Sequence, residues 1–135
     1  MVNIVLVSHC HDLAQGVKKL ADQMGNDVVR VTAVGGIEVD GAYALGPDAV
    51  RICAAIEETW TPAGVLVLVD LGSAVLSAEL AIEMLPPEKQ PHCLVSNAPL
   101  VEGAVVATLE AGVGRDLAAV NRAAEAACQY PKVAR

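Results

Sequence analysis

The stretch "VLVLVDLGSAVLSAELAIEMLPP", residues 65–87, decides how the rest of the chain is read. Val65 to Val69 form an aliphatic run too short for a helix and bounded by Gly64 and Asp70, which predicts a strand buried on both faces. Beyond "DLGSA", Val75, Ala78, Ile82 and Leu85 recur three and four residues apart, the spacing of one helical face, and Pro86-Pro87 stop the helix. A buried strand, a short turn and a helix make up half of a parallel βαβ unit, so the flanking sequence should repeat that form.

It does. Val2–Val7 and Val28–Val34 are similar short aliphatic runs, and a weaker fourth strand, His92–Val95, follows the breaker "PPEKQP". Leu13, Val17, Leu20 and Met24 mark a helix after the first strand. Ala49, Ile52, Cys53 and Ile56 mark another after Gly46-Pro47, with Pro47 suited to a first helical position. Two further helices, roughly Leu100–Ala111 and Asp116–Cys128, are divided by Gly112-Val113-Gly114. The expectation is one α/β domain spanning residues 1–135, a mainly parallel four-stranded sheet with helices on both faces. "GGIEVDGAYALGP" (35–47) is the one long connection, and long loops inside compact domains tend to be functional.

With 135 residues the chain can bury a substantial core, yet it has no Phe, one Trp and two Tyr, so Val, Leu, Ile and Ala must do the packing. Nine basic against sixteen acidic residues give a formal charge of −7, which works against nucleic acid and against an anionic membrane surface. No apolar run approaches the roughly 20 residues of a membrane span. The amino terminus has neither the basic start nor the small-residue cleavage site of a signal peptide. Cys10, Cys53, Cys93 and Cys128 are scattered, without a C-x-x-C, and read as buried or free thiols of a cytoplasmic protein.

In an open parallel sheet, ligands sit beyond the carboxyl ends of the strands where strand order reverses. By analogy with flavodoxin-like folds the expected order is 2-1-3-4, which puts the reversal between strands 1 and 3. The residues just past those strands are "SHCH" (8–11) and "DLGSA" (70–74), so His9, Asp70, Gly72 and Ser73 should share one crevice. A histidine can accept a phosphoryl group on a ring nitrogen while a carboxylate fixes its other nitrogen. The start of the third helix offers free N–H groups and the positive end of its dipole to an anion. Gly35-Gly36, past the second strand, lets backbone approach a ligand closely. Taken singly, each feature is ordinary in an α/β protein; together they suit a transient phosphohistidine.

Zinc is the competing reading of "HCH", with His92-Cys93 as further ligands. However, His92 begins strand 4 whereas His9 follows the end of strand 1. In a parallel sheet these are opposite edges, about 20 Å apart for a strand of this length, so no metal is expected. Standard nucleotide loops are also missing. "GVGRDL" (112–117) echoes G-x-G-x-x-G but lies between two helical patterns and lacks the last glycine.

"VSHCHDLAQGV", "LVLVDLGSAVLSAE" and "NAPLVEGAVVA" closely resemble the phosphotransferase subunits of phosphoenolpyruvate-dependent dihydroxyacetone kinases, whose domain is similar to the mannose-type IIA domain of the sugar phosphotransferase system. The resemblance implies a cytoplasmic phosphocarrier, often a homodimer, with a flavodoxin-like sheet. It implies that phosphorylated HPr donates a phosphoryl group to His9. The group then passes to ADP held by an ADP-binding kinase subunit, and the ATP formed phosphorylates dihydroxyacetone on another subunit. No cofactor is then bound directly by this chain.

Residue by residue, His9 matches the phosphoacceptor and Asp70 the carboxylate beside it. Gly72 and Ser73 match the helix start behind the phosphate, and Gly36 is a looser match. Relatives usually show Ser-His-Ser, where Cys10 replaces the second serine here, and the resemblance gives His11 no role. Ile37 and "GPDA" (46–49) also depart from the usual Thr and Gly-Thr-Ser. Val75, Leu76 and the 37–45 loop are candidates for an apolar rim where partners dock, with core packing as the plainer alternative. Some family members append an HPr-like domain and a segment resembling enzyme I; the expectation is a separate HPr donor if the chain is whole, and a tethered donor if it is part of a longer protein. The alternatives are a mannose-type carrier that donates to a IIB domain and a non-catalytic binding module on the same fold.

Overall fold

The computed structural model describes residues 1–135. Four parallel strands form the sheet: β1 (Asn3–Ser8), β2 (Val31–Gly35), β5 (Val65–Val69) and β6 (Cys93–Val95). Between β2 and β5 the chain makes a small antiparallel hairpin, β3 (Ile37–Val39) and β4 (Ala42–Ala44). The sheet order is β2-β1-β5-β6, which is 2-1-3-4 once the hairpin strands are taken out of the count. Five helices accompany it: α1 (His11–Met24), α2 (Ala49–Thr59), α3 (Ser73–Glu83), α4 (Leu100–Gly112) and α5 (Leu117–Ala126).

The aliphatic runs are continuous because each strand faces a core on both sides. Ile4 and Leu6 of β1, with Leu66 and Leu68 of β5, pack against Val17, Ala21, Ala104, Ala107 and Val120 from α1, α4 and α5. The alternate residues Val5, Val7, Val65 and Val67 pack on the other side against Ile52, Ile56, Ala74 and Ala78 from α2 and α3. Alanine lines the inner faces of α3 and α4, so these helices lie close to the sheet, and a core without phenylalanine can still be filled.

Several boundaries differ from those expected, each for a local reason. The second strand begins at Val31 rather than Val28: the Asn26 side chain accepts from the Val28 amide, which makes a turn and leaves Val28 exposed. Helix α2 begins after Pro47, because the Asp48 carboxylate caps it by accepting from the amides of Val50 and Arg51. His92 lies in a 3₁₀ turn ahead of β6. The 35–47 connection is the hairpin, entered through Gly36, whose φ of 69° favours glycine.

Candidate functional site

Register brings the site together. Val7 of β1 pairs with Val69 of β5, so Ser8-His9 and Asp70 leave the sheet side by side at its carboxyl edge. The Asp70 amide donates to the Val7 carbonyl at 3.1 Å, continuing the ladder one step beyond the strand. Helix α3 begins three residues later and α1 two residues after His9, so both helix starts border the same crevice.

Asp70 is the hub. Its Oδ1 lies 2.9 Å from His9 Nδ1 and accepts from the Leu71 amide at 2.7 Å. Its Oδ2 accepts from the His9 amide at 3.0 Å and from the Ser8 hydroxyl at 2.9 Å. Burial pushes this carboxyl up, but the hydrogen bonds from the His9 amide and ring, the Ser8 hydroxyl and the Leu71 amide outweigh it and hold the group below the usual aspartate range. Asp70 is therefore ionised at neutral pH and can only accept, so His9 Nδ1 carries the proton. In a neutral ring that leaves Nε2 with its lone pair.

Ser73 Oγ lies 2.9 Å from Nε2 and so donates to it. Ser73 is the first residue of α3, and there the amides of Gly72 and Ser73 donate to no protein acceptor. A Cβ built on Gly72 would meet nothing within 4 Å, so the protein's own packing does not require a glycine there. The His9 side chain is 23% exposed, against 11% for Asp70, so the holder is the more covered of the two. Chemically, this is a histidine of fixed tautomer whose nucleophilic atom accepts from the Ser73 hydroxyl at the start of α3.

Four of the five residues singled out in the sequence, His9, Asp70, Gly72 and Ser73, thus converge. Gly36 sits beside them in a different capacity. Its amide donates to the Ser8 carbonyl at 3.3 Å and its own carbonyl accepts from Arg51 at 2.7 Å, so its polar groups are already paired within the protein. Cys10 caps α1 without a side-chain hydrogen bond, while its amide donates to Ser8 Oγ at 3.0 Å. Ser8, fully buried between Asp70 and that amide, was not among the residues singled out; a polar residue ending an otherwise apolar buried strand was the available signal. Val75 packs against the core, whereas Leu76, Leu71 and Leu45 are exposed by 73%, 60% and 77% around the crevice. The zinc candidates are apart: His92 stands edge-on to Trp60, with ring centroids 5.8 Å apart, at the amino end of β6.

This fold and site define a family. The family model described as the PTS system fructose IIA component, EIIA-man, matches residues 3–121, and the chain belongs to that family. Among curated relatives, the chain is 44% identical over 118 residues to the phosphoryl donor subunit DhaM of the PEP-dependent dihydroxyacetone kinase of Escherichia coli strain K12. That alignment covers 87% of this chain and 25% of the relative, so the chain spans a quarter of that protein's length. It is 39% identical to the phosphotransferase subunit DhaM of the PTS-dependent dihydroxyacetone kinase of Lactococcus lactis, covering 81% and 83% of the two chains. It is also 36% identical to a Listeria innocua phosphoryl donor subunit of the same kind, covering 82% and 86%. A crystal structure described as a protein of unknown function, EF1359, superposes with a TM-score of 0.79 at 38% identity, covering 92% of each chain.

Proposed function

We propose that this protein is a cytoplasmic phosphohistidine carrier that takes a phosphoryl group from phospho-HPr onto His9. It passes that group to ADP bound on a partner kinase subunit, driving phosphorylation of dihydroxyacetone. The observation that carries the reading is the double clamp on one ring: Asp70 on Nδ1, and the Ser73 hydroxyl, at the start of α3, on Nε2.

The Nε2 lone pair attacks phosphorus in line as the bond to the donor's histidine nitrogen breaks; the proton on Nδ1 stays there. Asp70 stabilises the ring's positive charge from the far side, where it does not repel the phosphoryl oxygens. The Ser73 hydroxyl turns from Nε2 to a phosphoryl oxygen, and the amides of Gly72 and Ser73 receive the others. The return step reverses this, with ADP oxygen as the nucleophile. No nucleotide loop is needed on this chain if ADP belongs to the partner. The curated relatives, named as donor subunits of dihydroxyacetone kinases, support that acceptor. The acidic charge of −7 supports association with basic faces on donor and acceptor, and a homodimer is proposed on the resemblance of the motifs alone.

The test is intact-mass spectrometry after incubation with phosphoenolpyruvate, enzyme I and excess HPr. One acid-labile phosphoryl group is expected on wild type, on His11→Ala and on His92→Ala, and none on His9→Ala. Discharge by the ADP-binding kinase subunit with ADP supports the kinase role; discharge only by a IIB domain makes the protein a sugar-transport carrier. An uncharged wild type beside an active control leaves a non-catalytic binding module.

A further inference from the structure

The second histidine of "VSHCH" is unused by the chemistry above, yet its ring is packed against another. His11, the first residue of α1, stacks face to face on Tyr43 of β4, with ring centroids 3.7 Å apart and planes within 6°. Its Nδ1 is buried without a hydrogen-bond partner, so the ring is held by its face rather than through that nitrogen. Arg51, 5.4 Å from the Tyr43 ring centroid, lies within cation–π reach and donates to the carbonyls of Gly35 and Gly36 at 3.1 and 2.7 Å.

The hairpin so gripped is fastened to the site at both ends. Gly36 donates to the carbonyl of Ser8, and Gly46 donates to the carbonyl of His9 at 2.9 Å. Val39, Tyr43 and Leu45 are all partly open to solvent, and the register puts Tyr43, with its stack on His11, on the face opposite Val39. A three-residue antiparallel pair with both strands exposed has little stability of its own, so what holds it is contact with the body of the domain.

We propose that His11 is a positioning residue: its stack on Tyr43 sets the 37–45 hairpin as a rigid wall beside His9, which the phosphoryl donor meets on docking. The proposal rests on the carrier reading for the donor and on geometry alone for the clamp. His11 neither touches the phosphoryl group nor moves a proton. It keeps the wall in the docking conformation, so its loss weakens productive encounter and leaves the chemical step intact.

The experiment uses the full chain with His11→Ala, Tyr43→Ala and His11→Phe, the last keeping an aromatic face without nitrogens. Amide hydrogen exchange at Gly46 and through the hairpin is followed by NMR without any donor, and transfer from phospho-HPr is then measured against the concentration of this protein. His11→Ala and Tyr43→Ala are expected to raise KM by roughly 3- to 10-fold, the scale of one aromatic pair, with kcat preserved and the Gly46 amide exchanging faster. His11→Phe should restore both. Wild-type KM and wild-type Gly46 protection in His11→Ala overturn the proposal, as does a His11→Phe protein no better than His11→Ala. Tyr43→Ala, altering an exposed side chain, tests the clamp even if His11→Ala folds poorly. A wild type that accepts no phosphoryl group defeats the carrier reading, while the exchange data still decide the clamp.

Discussion

Asp70 holds His9 twice: one carboxylate oxygen lies 2.9 Å from ring Nδ1 and the other accepts the His9 backbone amide at 3.0 Å. Ring and backbone are thus referred to one rigid group, which Ser8 and the Leu71 amide hold in turn. On the proposed carrier reading, a nucleophile fixed this way has one tautomer and one direction of attack, which a carrier needs if it is to serve both a donor and an acceptor.

Asp70→Asn keeps the shape and removes the obligate acceptor. Its amide nitrogen would face a donor, either the Nδ1 proton or the Ser8 and His9 N–H side, so the tautomer is no longer enforced. Phosphoryl transfer is expected to fall by about 100-fold or more, and stability by about 1–3 kcal/mol from donors left unpaired. Rapid-quench transfer rates and urea denaturation measure the two effects; a rate within threefold of wild type would remove Asp70 from the mechanism.

The pH behaviour of Asp70 follows from its depressed folded-state pKa, where hydrogen bonding overcomes burial. A group lowered on folding contributes stability that is complete above its unfolded value, about 4, and is lost as pH falls through the folded value. Carboxyl ¹³C NMR should show Asp70 titrating below the ordinary aspartate midpoint of about 3.9. Transfer should likewise show no acid limb from this group between about pH 5 and 8. A midpoint at or above the ordinary value would contradict the hydrogen-bonded geometry.

Two glycines should answer alanine in opposite directions. Gly16 lies within α1, and an added Cβ meets nothing within 4 Å, so Gly16→Ala should stabilise the protein by about 0.5–1 kcal/mol through helix propensity. At Gly103, on the buried face of α4, an added Cβ would sit 2.7 Å from Ala98 Cβ and 3.0 Å from Leu68 Cδ2. Gly103→Ala should therefore destabilise by about 1–3 kcal/mol through overpacking. Thermal denaturation of the pair distinguishes propensity from packing.

The cysteines should differ in reactivity. Burial, aided by Glu57 and opposed by Lys89, pushes the Cys93 thiol up to about 11, and burial with Glu57 also raises Cys53. Roughly one Cys93 thiol in a thousand is then ionised at pH 8, whereas Cys128 is exposed. Iodoacetamide on the native protein should label Cys128 well before Cys93 or Cys53, and peptide mapping would show the order.

Much of the fold was legible because buried parallel strands declare themselves. The run from Val65 to Val69 matches β5 residue for residue, and the periodic helices fall within a few residues of those expected. Val28 was misassigned because a β-branched residue reads alike in a strand and in a turn; the Asn26 side chain made it a turn. The hairpin was missed for another reason. Ile37–Val39 and Ala42–Ala44 are exposed throughout, so no in-and-out alternation was written into their sequence.

The sequence by itself determined an α/β domain, the end of its third sheet strand and, to within one residue, that of its first, since apolar periodicity and turn residues act locally. Family motifs then marked His9 and Asp70. Only the tertiary structure decided that Nε2 is the free nitrogen, that Gly36 is already paired, and that His11 grips Tyr43. Each of these is a contact between distant parts of the chain. A linear sequence records which groups are available, and their distances arise only when the sheet sets Val7 beside Val69 and folds the hairpin back over the start of α1.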